Sequence, residues 1–148
     1  ENPKSTVLPP VGESKAGEFE WRVLVIDDEI AIGELLEVSL TQRGCRVTFL
    51  NDPMQLEGAI EKTAFDLVIC DLNMPGRNGA QVLRLLRQMQ PKLAQHFMLM
   101  TGNLGDLDAS QTDFESIPAL AKPFTLGQLM DALRVAKNRQ SETAHLAG

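Results

Sequence analysis

The sequence contains no tyrosine, a single tryptophan and two histidines, and its two cysteines, Cys45 and Cys70, form no CxxC pair. A disulfide scaffold or a His/Cys metal cage is therefore disfavoured, and each cysteine, set inside an apolar run, is expected to be a reduced, buried thiol. Long hydrophobic stretches are missing as well. No run approaches the ~18 residues of a membrane span, and no basic-then-apolar leader is seen, so a soluble, cytoplasmic chain without direct membrane contact is expected. Positive charge is in short supply: 14 Lys+Arg stand against 20 Asp+Glu, for a net charge of −6. Without a Lys/Arg cluster, unaided binding to nucleic acid is disfavoured. A chain of this kind meets cations and other proteins.

What is present fits one α/β domain with modest tails: 148 residues, 43% hydrophobic and 23% charged. Residues 1–20 carry Pro3, Pro9, Pro10, Gly12 and Gly17 among charged and small residues, with no period, and read as a flexible linker or arm. Residues 21–138 form the domain. From Trp21 the pattern alternates between short apolar runs and amphipathic stretches, the sign of βα units wound onto a parallel sheet. The runs are Val23–Ile26, Val47–Leu50, Leu67–Cys70, Phe97–Met100 and a weaker Ile117–Ala121, each read as a strand buried on both faces.

The first helix carries Ile32, Leu35, Leu36 and Leu40, with Gly44 placed to end it at positive φ. Asn51-Asp52-Pro53 supplies a cap and an N1 proline for a second helix bearing Leu56, Ala59 and Ile60. Val82, Leu85, Leu86 and Met89 stripe the third, and Leu126, Leu129, Met130 and Leu133 the last, which Thr125 caps. Between them, Asn103–Ser116 holds Gly105 and three aspartates, so a short or irregular helix is expected there. Residues 139–148 have little to bury and are expected to fray into a disordered tail.

In a parallel α/β sheet, ligands gather beyond the carboxyl ends of the strands. Here the first run ends in Asp27-Asp28-Glu29, the third in Asp71, the fourth in Thr101-Gly102 and the fifth in Lys122-Pro123. If the first and third strands adjoin, Asp27, Asp28 and Asp71 share one pocket. Two carboxylates ~5 Å apart at an effective dielectric of ~20 repel by roughly 3 kcal/mol, so the three need positive company. Lys122 supplies one charge and a hard divalent cation the rest. With few ligands and room for water, Mg²⁺ fits better than a Ca²⁺ cage. A carboxylate set beside Mg²⁺, an ammonium and a hydroxyl is suited to attack phosphorus and hold an acyl phosphate. Asp71, alone at a strand end before a loop, is the best nucleophile candidate.

These residues resemble the receiver domain of two-component response regulators. The matching pieces are V-L-V-I-D-D-E at 23–29, D-L-N-M-P-G-R-N-G at 71–79, M-L-M-T-G at 98–102 and A-K-P-F at 121–124. The resemblance spans about 22–137. It implies a flavodoxin-like fold: a doubly wound five-stranded parallel sheet in the order 2-1-3-4-5, flanked by five helices. It also implies that Asp71 accepts a phosphoryl group from a phosphohistidine. Asp28, Asp71 and the backbone carbonyl of Asn73 would hold Mg²⁺, with Asp27 acting through water. Lys122 would pair with the phosphoryl group, Thr101 would swing to hydrogen-bond it, and the Lys122–Pro123 peptide would be cis. The implied partners are a histidine kinase or a histidine phosphotransfer protein.

One departure stands out. Where receivers often carry Tyr or Phe three residues before the lysine, this chain has Ala119, so signalling is expected to use loop ordering or another surface. A proline-bearing leader, and Glu1 where a start Met would stand, lead to the expectation of a receiver at the end of a hybrid sensor histidine kinase, with a stand-alone response regulator as the alternative. Beyond its own phosphorylation and dephosphorylation, no catalysis is implied. An aspartate-nucleophile phosphohydrolase would need an acid where Asn73 stands. A flavin module would need a Ser/Thr/Gly phosphate cradle where Asp27-Asp28-Glu29 stand, and a degenerate receiver would lack part of the site.

Overall fold

A computed structural model describes residues 19–103, 105 and 117–147. All but Phe19 and Glu20 of the arm expected over residues 1–20, and all but two residues of the weak helix expected in Asn103–Ser116, lie outside that set. The elements run β1 (Arg22–Ile26), α1 (Ile30–Thr41), β2 (Arg46–Leu50), a 3-10 turn (Pro53–Gln55) leading into α2 (Leu56–Lys62), β3 (Leu67–Asp71), α3 (Gly79–Met89), α4 (Pro91–Ala94), β4 (Phe97–Thr101), β5 (Ala119–Ala121) and α5 (Leu126–Ala147). All strand pairs are parallel and the sheet order is β2-β1-β3-β4-β5. Ile26 lies opposite both Leu50 and Cys70, Asp71 opposite Met100, and Thr101 opposite Ala121. That register aligns the carboxyl ends of β1, β3, β4 and β5 along one rim.

Alternation along the strands divides the core in two. Leu24, Ile26, Val68, Cys70, Phe97 and Leu99 face α2 and α3, while Val23, Val25, Ile69, Met98 and Met100 face α1 and α5. β3 and β4 are buried throughout. The expectation of burial on both faces fails at the rims: β2 is largely half-buried and β5 exposes Ala119 and Ala121. An edge strand has a neighbour on one side only, and helix cover thins there.

Local chemistry sets the helix ends. Gly44 takes φ 99°, the left-handed conformation that lets the chain leave α1 for β2. The Asp52 carboxylate accepts the Met54 N–H at 3.0 Å. Asn78 and Gln81 form a reciprocal capping box on α3, and Thr125 with Gln128 does the same on α5.

Several expectations are corrected. On α1 the sheet-facing line is Gly33, Leu36 and Leu40, while Leu35 points outward and is 47% exposed, because a single sheet layer covers a stripe narrower than the apolar spacing suggests. Met89, the last residue of α3, is also exposed. A short helix not foreseen, α4, restarts at Pro91, a residue preorganised for the first helical position, and buries Leu93 and Ala94. The domain begins two residues before Trp21: Phe19 is buried against Trp21, and its N–H donates to the Arg43 carbonyl at 3.0 Å. At the other end α5 continues to Ala147 in place of a tail frayed from 139. The segment Asn138–Ala147 contains neither Gly nor Pro, and Gln140, Glu142, Ala144 and Leu146 favour the helix. Cys45 and Cys70 are free and buried. Among the described residues no helix is long and apolar enough to cross a membrane.

Gly79 opens α3 directly over the end of β3. A Cβ there would stand 2.9 Å from the Asp71 carbonyl oxygen and 3.0 Å from the Leu72 Cα, atoms that cannot swing aside. Gly79→Ala is expected to lower stability by about 1–3 kcal/mol, as overpacking does, and denaturant titration checks it. The same substitution on the outer face of α2, Gly58→Ala, meets no atom within 4 Å and is expected to be neutral or stabilising.

Candidate functional site

The rim gathers its charges from three strand ends. Asp27, first residue past β1, is fully buried; its N–H donates to the Leu50 carbonyl at 3.1 Å, and its Oδ1 accepts the Glu29 N–H at 2.9 Å. Asp71 ends β3 and is 5% exposed, whereas Asp28 faces solvent. Asp27, Asp28 and Asp71 each place one carboxylate oxygen within 4.8 Å of the others. Lys122, just past β5, extends its ammonium into this group: Nζ is 2.8 Å from Asp27 Oδ2, 2.7 Å from Glu29 Oε1 and 3.3 Å from Asp71 Oδ1. The Lys122–Pro123 peptide is cis, and the Lys122 N–H donates to the Thr101 carbonyl at 2.7 Å.

Thr101 ends β4 fully buried, but its hydroxyl serves its own loop, donating to the Asn103 carbonyl at 3.0 Å and accepting the Asn103 N–H at 3.1 Å. Asn73 stands exposed two residues beyond Asp71, in the β3–α3 loop. The structure thus unites Asp27, Asp28, Asp71 and Lys122, and sets Thr101 on the neighbouring strand end, turned toward Asn103. Glu29 was not among the candidate residues, yet it makes the shortest of the lysine's contacts. Its place directly after the acidic doublet was the available signal.

Burial dominates the electrostatics. Loss of water pushes the Asp71 carboxyl up to about 6, the charge on Asp27 adds to the rise, and Lys122 only partly offsets it. Asp27 is likewise raised by burial, against the ammonium and the Glu29 N–H. Burial alone would pull Lys122 down, but the carboxylates of Asp27 and Glu29 outweigh it and hold the ammonium above the ordinary lysine range. The Cys70 thiol is pushed well up by complete burial and by the neighbouring carboxylates, which keeps it protonated and inert.

The residues fit a hard divalent cation. Three carboxylates converge with one ammonium among them, the donors are all oxygen, and Asp27 Oδ2 is a buried atom with no hydrogen bond beyond its ion-pair contact with Lys122. The raised Asp71 and Asp27 state the same imbalance in protonation terms: the cluster is short of positive charge.

Fold and rim together define a flavodoxin-like, doubly wound domain with an anionic mouth at the strand ends. The chain belongs to the response regulator receiver domain family, which matches residues 23–134. The KDP operon transcriptional regulatory protein KdpE of Escherichia coli is 35% identical over 130 residues, covering 82% of this chain and 53% of that protein. A response regulator receiver domain from Clostridium thermocellum superposes with a TM-score of 0.69 at 29% identity, covering 82% of this chain and 98% of that one. The response regulator TrrA of Thermotoga maritima, solved in complex with Mg²⁺ and BeF, superposes with a TM-score of 0.67 at 25% identity, covering 78% of this chain and 97% of that one. The chain spans 20%, 55% and 53% of the length of three curated relatives it matches.

An Asp that ionises near 6 in the fold and near 3.8 when unfolded destabilises the native state once it is charged. The folded protein holds the extra proton between those values, so stability from this group is present at low pH and is lost as pH rises through about 6. The cost at neutral pH is on the order of 3 kcal/mol. Asp71→Asn is therefore expected to raise the melting temperature of the cation-free protein at pH 7 and to narrow the difference between pH 5 and pH 7. Calorimetric melting at the two pH values measures both.

Proposed function

We propose that Asp71 is the phosphoacceptor of a two-component phosphorelay, taking its phosphoryl group from a phosphohistidine on a histidine kinase or histidine phosphotransfer protein. The observation that carries this reading is the Lys122 ammonium held between Asp27 and Asp71 at the mouth of a three-carboxylate cluster. In the reaction an Asp71 carboxylate oxygen attacks phosphorus in line with the departing imidazole. The O–P bond forms, the P–N bond breaks, and the imidazole nitrogen keeps the electron pair and takes a proton from solvent. Lys122 turns its ammonium from the resting carboxylates toward the phosphoryl oxygens. Thr101 gives up its bond to the Asn103 carbonyl and donates to the same group.

Asp28, Asp71 and the Asn73 backbone carbonyl would hold Mg²⁺, with Asp27 bound through water, and the cation when bound offsets the charge on the phosphoryl oxygens. TrrA, with the same fold, was solved with Mg²⁺ and BeF, which supports the assignment. Ala119 is exposed at the start of β5, so the reading places output in loop ordering or another surface in place of a rotating ring. For the parent protein the reading is a cytoplasmic hybrid sensor histidine kinase. The same site serves a stand-alone response regulator.

Incubation with Mg²⁺ and a small acyl-phosphate donor is expected to add one labile phosphoryl group by intact mass. The adduct is lost on chelation of Mg²⁺ beforehand and is absent from Asp71→Asn. A folded wild-type protein that acquires no adduct from the small donor or from a phosphorylated phosphotransfer protein defeats this reading.

A further inference from the structure

The β3–α3 loop, which runs from Asp71 through Asn73 to Asn78, is bound to an element that plays no part in the acidic cluster. Arg77 reaches back from it to the start of α2. Its Nη1 donates to the Pro53 carbonyl at 3.2 Å and to Glu57 Oε1 at 3.0 Å, and its Nη2 donates to Glu57 Oε2 at 3.1 Å. This is a bidentate guanidinium–carboxylate fork with a third bond to backbone. The Arg77 side chain is 17% exposed and its Glu57 partner 40%, so the fork is sheltered on the arginine side only and its bidentate geometry, more than burial, sets it apart from an ordinary surface pair. The guanidinium holds the Glu57 carboxyl below its usual range. Gly76, at φ 85°, brings the backbone beside Met54 of the same 3-10 turn, where an added Cβ would lie 3.8 Å from Met54 Cγ.

The loop has further anchors at its two ends and at Met74. Leu72 N–H donates to the Met100 carbonyl and Gly79 N–H to the Leu72 carbonyl, both at 2.8 Å, which fixes the two ends; Met74 is buried. Asn73 itself is exposed. A carbonyl offered from such a loop binds a cation well only if the loop is held before binding, since ordering it at that moment subtracts from affinity.

We propose that Arg77 is a positioning residue for the cation site: its clasp on Glu57 and Pro53 preorganises the loop that offers the Asn73 carbonyl beside Asp71. The inference rests on the receiver reading and adds to it a residue outside the acidic cluster. Arg77 touches none of the reacting groups and acts through the backbone. Loss of the clasp weakens Mg²⁺ binding while leaving the acidic cluster, and phosphorylation at saturating Mg²⁺, near their wild-type state.

The test uses the full chain, with Mg²⁺ itself as the probe in calorimetric titration and amide hydrogen exchange of residues 73–78 measured without metal. Arg77→Ala is expected to raise the Mg²⁺ concentration for half-saturation by about tenfold, the usual effect of losing a supporting contact, and to speed exchange in the loop. Glu57→Gln, which leaves every residue of the loop intact, is expected to move both readouts in the same direction. The swapped pair Arg77→Glu with Glu57→Arg rebuilds the fork and is expected to recover most of the loss. A folded Arg77→Ala protein with Mg²⁺ affinity within twofold of wild type overturns the proposal, even if its melting temperature falls. A swapped pair no better than Arg77→Ala overturns it too. If the wild type binds no Mg²⁺, the receiver reading fails, and unchanged loop exchange in Arg77→Ala then separately removes the clasp.

Discussion

The structure depends on one charge balance: a single ammonium, on Lys122, set among the carboxylates of Asp27, Glu29 and Asp71. The lysine side chain is 10% exposed and its Asp27 partner fully buried, so the attraction acts through a medium less polar than water. β5 and β1 stand three places apart in the sheet, yet the lysine at the end of one meets the aspartate at the end of the other. Parallel strands in register make that meeting possible, because all their carboxyl ends face the same rim. A one-residue slip of β3 would turn Asp71 to the opposite face and break the cluster.

The balance is incomplete, and the incompleteness is chemically useful. Burial keeps Asp71 reluctant to ionise, and the cluster lacks positive charge for its three aspartates. A site finished by its own side chains would have little left to offer a cation or an incoming phosphoryl group. Here the fold holds the carboxylates together at a cost in stability that the proposed cation would offset. Lys122 with Glu29 and Thr101 with Asn103 each engage a polar group that the proposed phosphoryl transfer would redirect.

Much of this was legible in the residues. The acidic doublet at 27–28, the isolated Asp71, Thr101 and Lys122 all follow apolar runs, and a parallel sheet brings the positions after its strands together. The turn and cap residues were equally readable: Gly44, Asp52 with Pro53, and Thr125 act within a few residues of themselves. Leu35 and Met89 were misread because apolar spacing states which residues share a face without stating how wide a face the sheet covers. Phe19 was missed because its burial is secured by Trp21 and Arg43, contacts that no period announces. The continuation of α5 to Ala147 was missed because absence of apolar burial was weighed above good helix propensity.

The succession of βα units, the caps at Gly44, Asp52 and Thr125 and the identity of the acidic and basic residues at the strand ends were determined by the sequence alone. Those features arise from backbone preference and side-chain chemistry acting over a few residues. Only the tertiary structure decided that Glu29 shares the lysine with Asp27 and Asp71, that Thr101 turns to Asn103, and that Arg77 grips Glu57 and Pro53 across 20 and 24 residues of chain. Such pairings depend on distances between elements that meet only when the sheet is assembled, and no local rule relates one partner to the other.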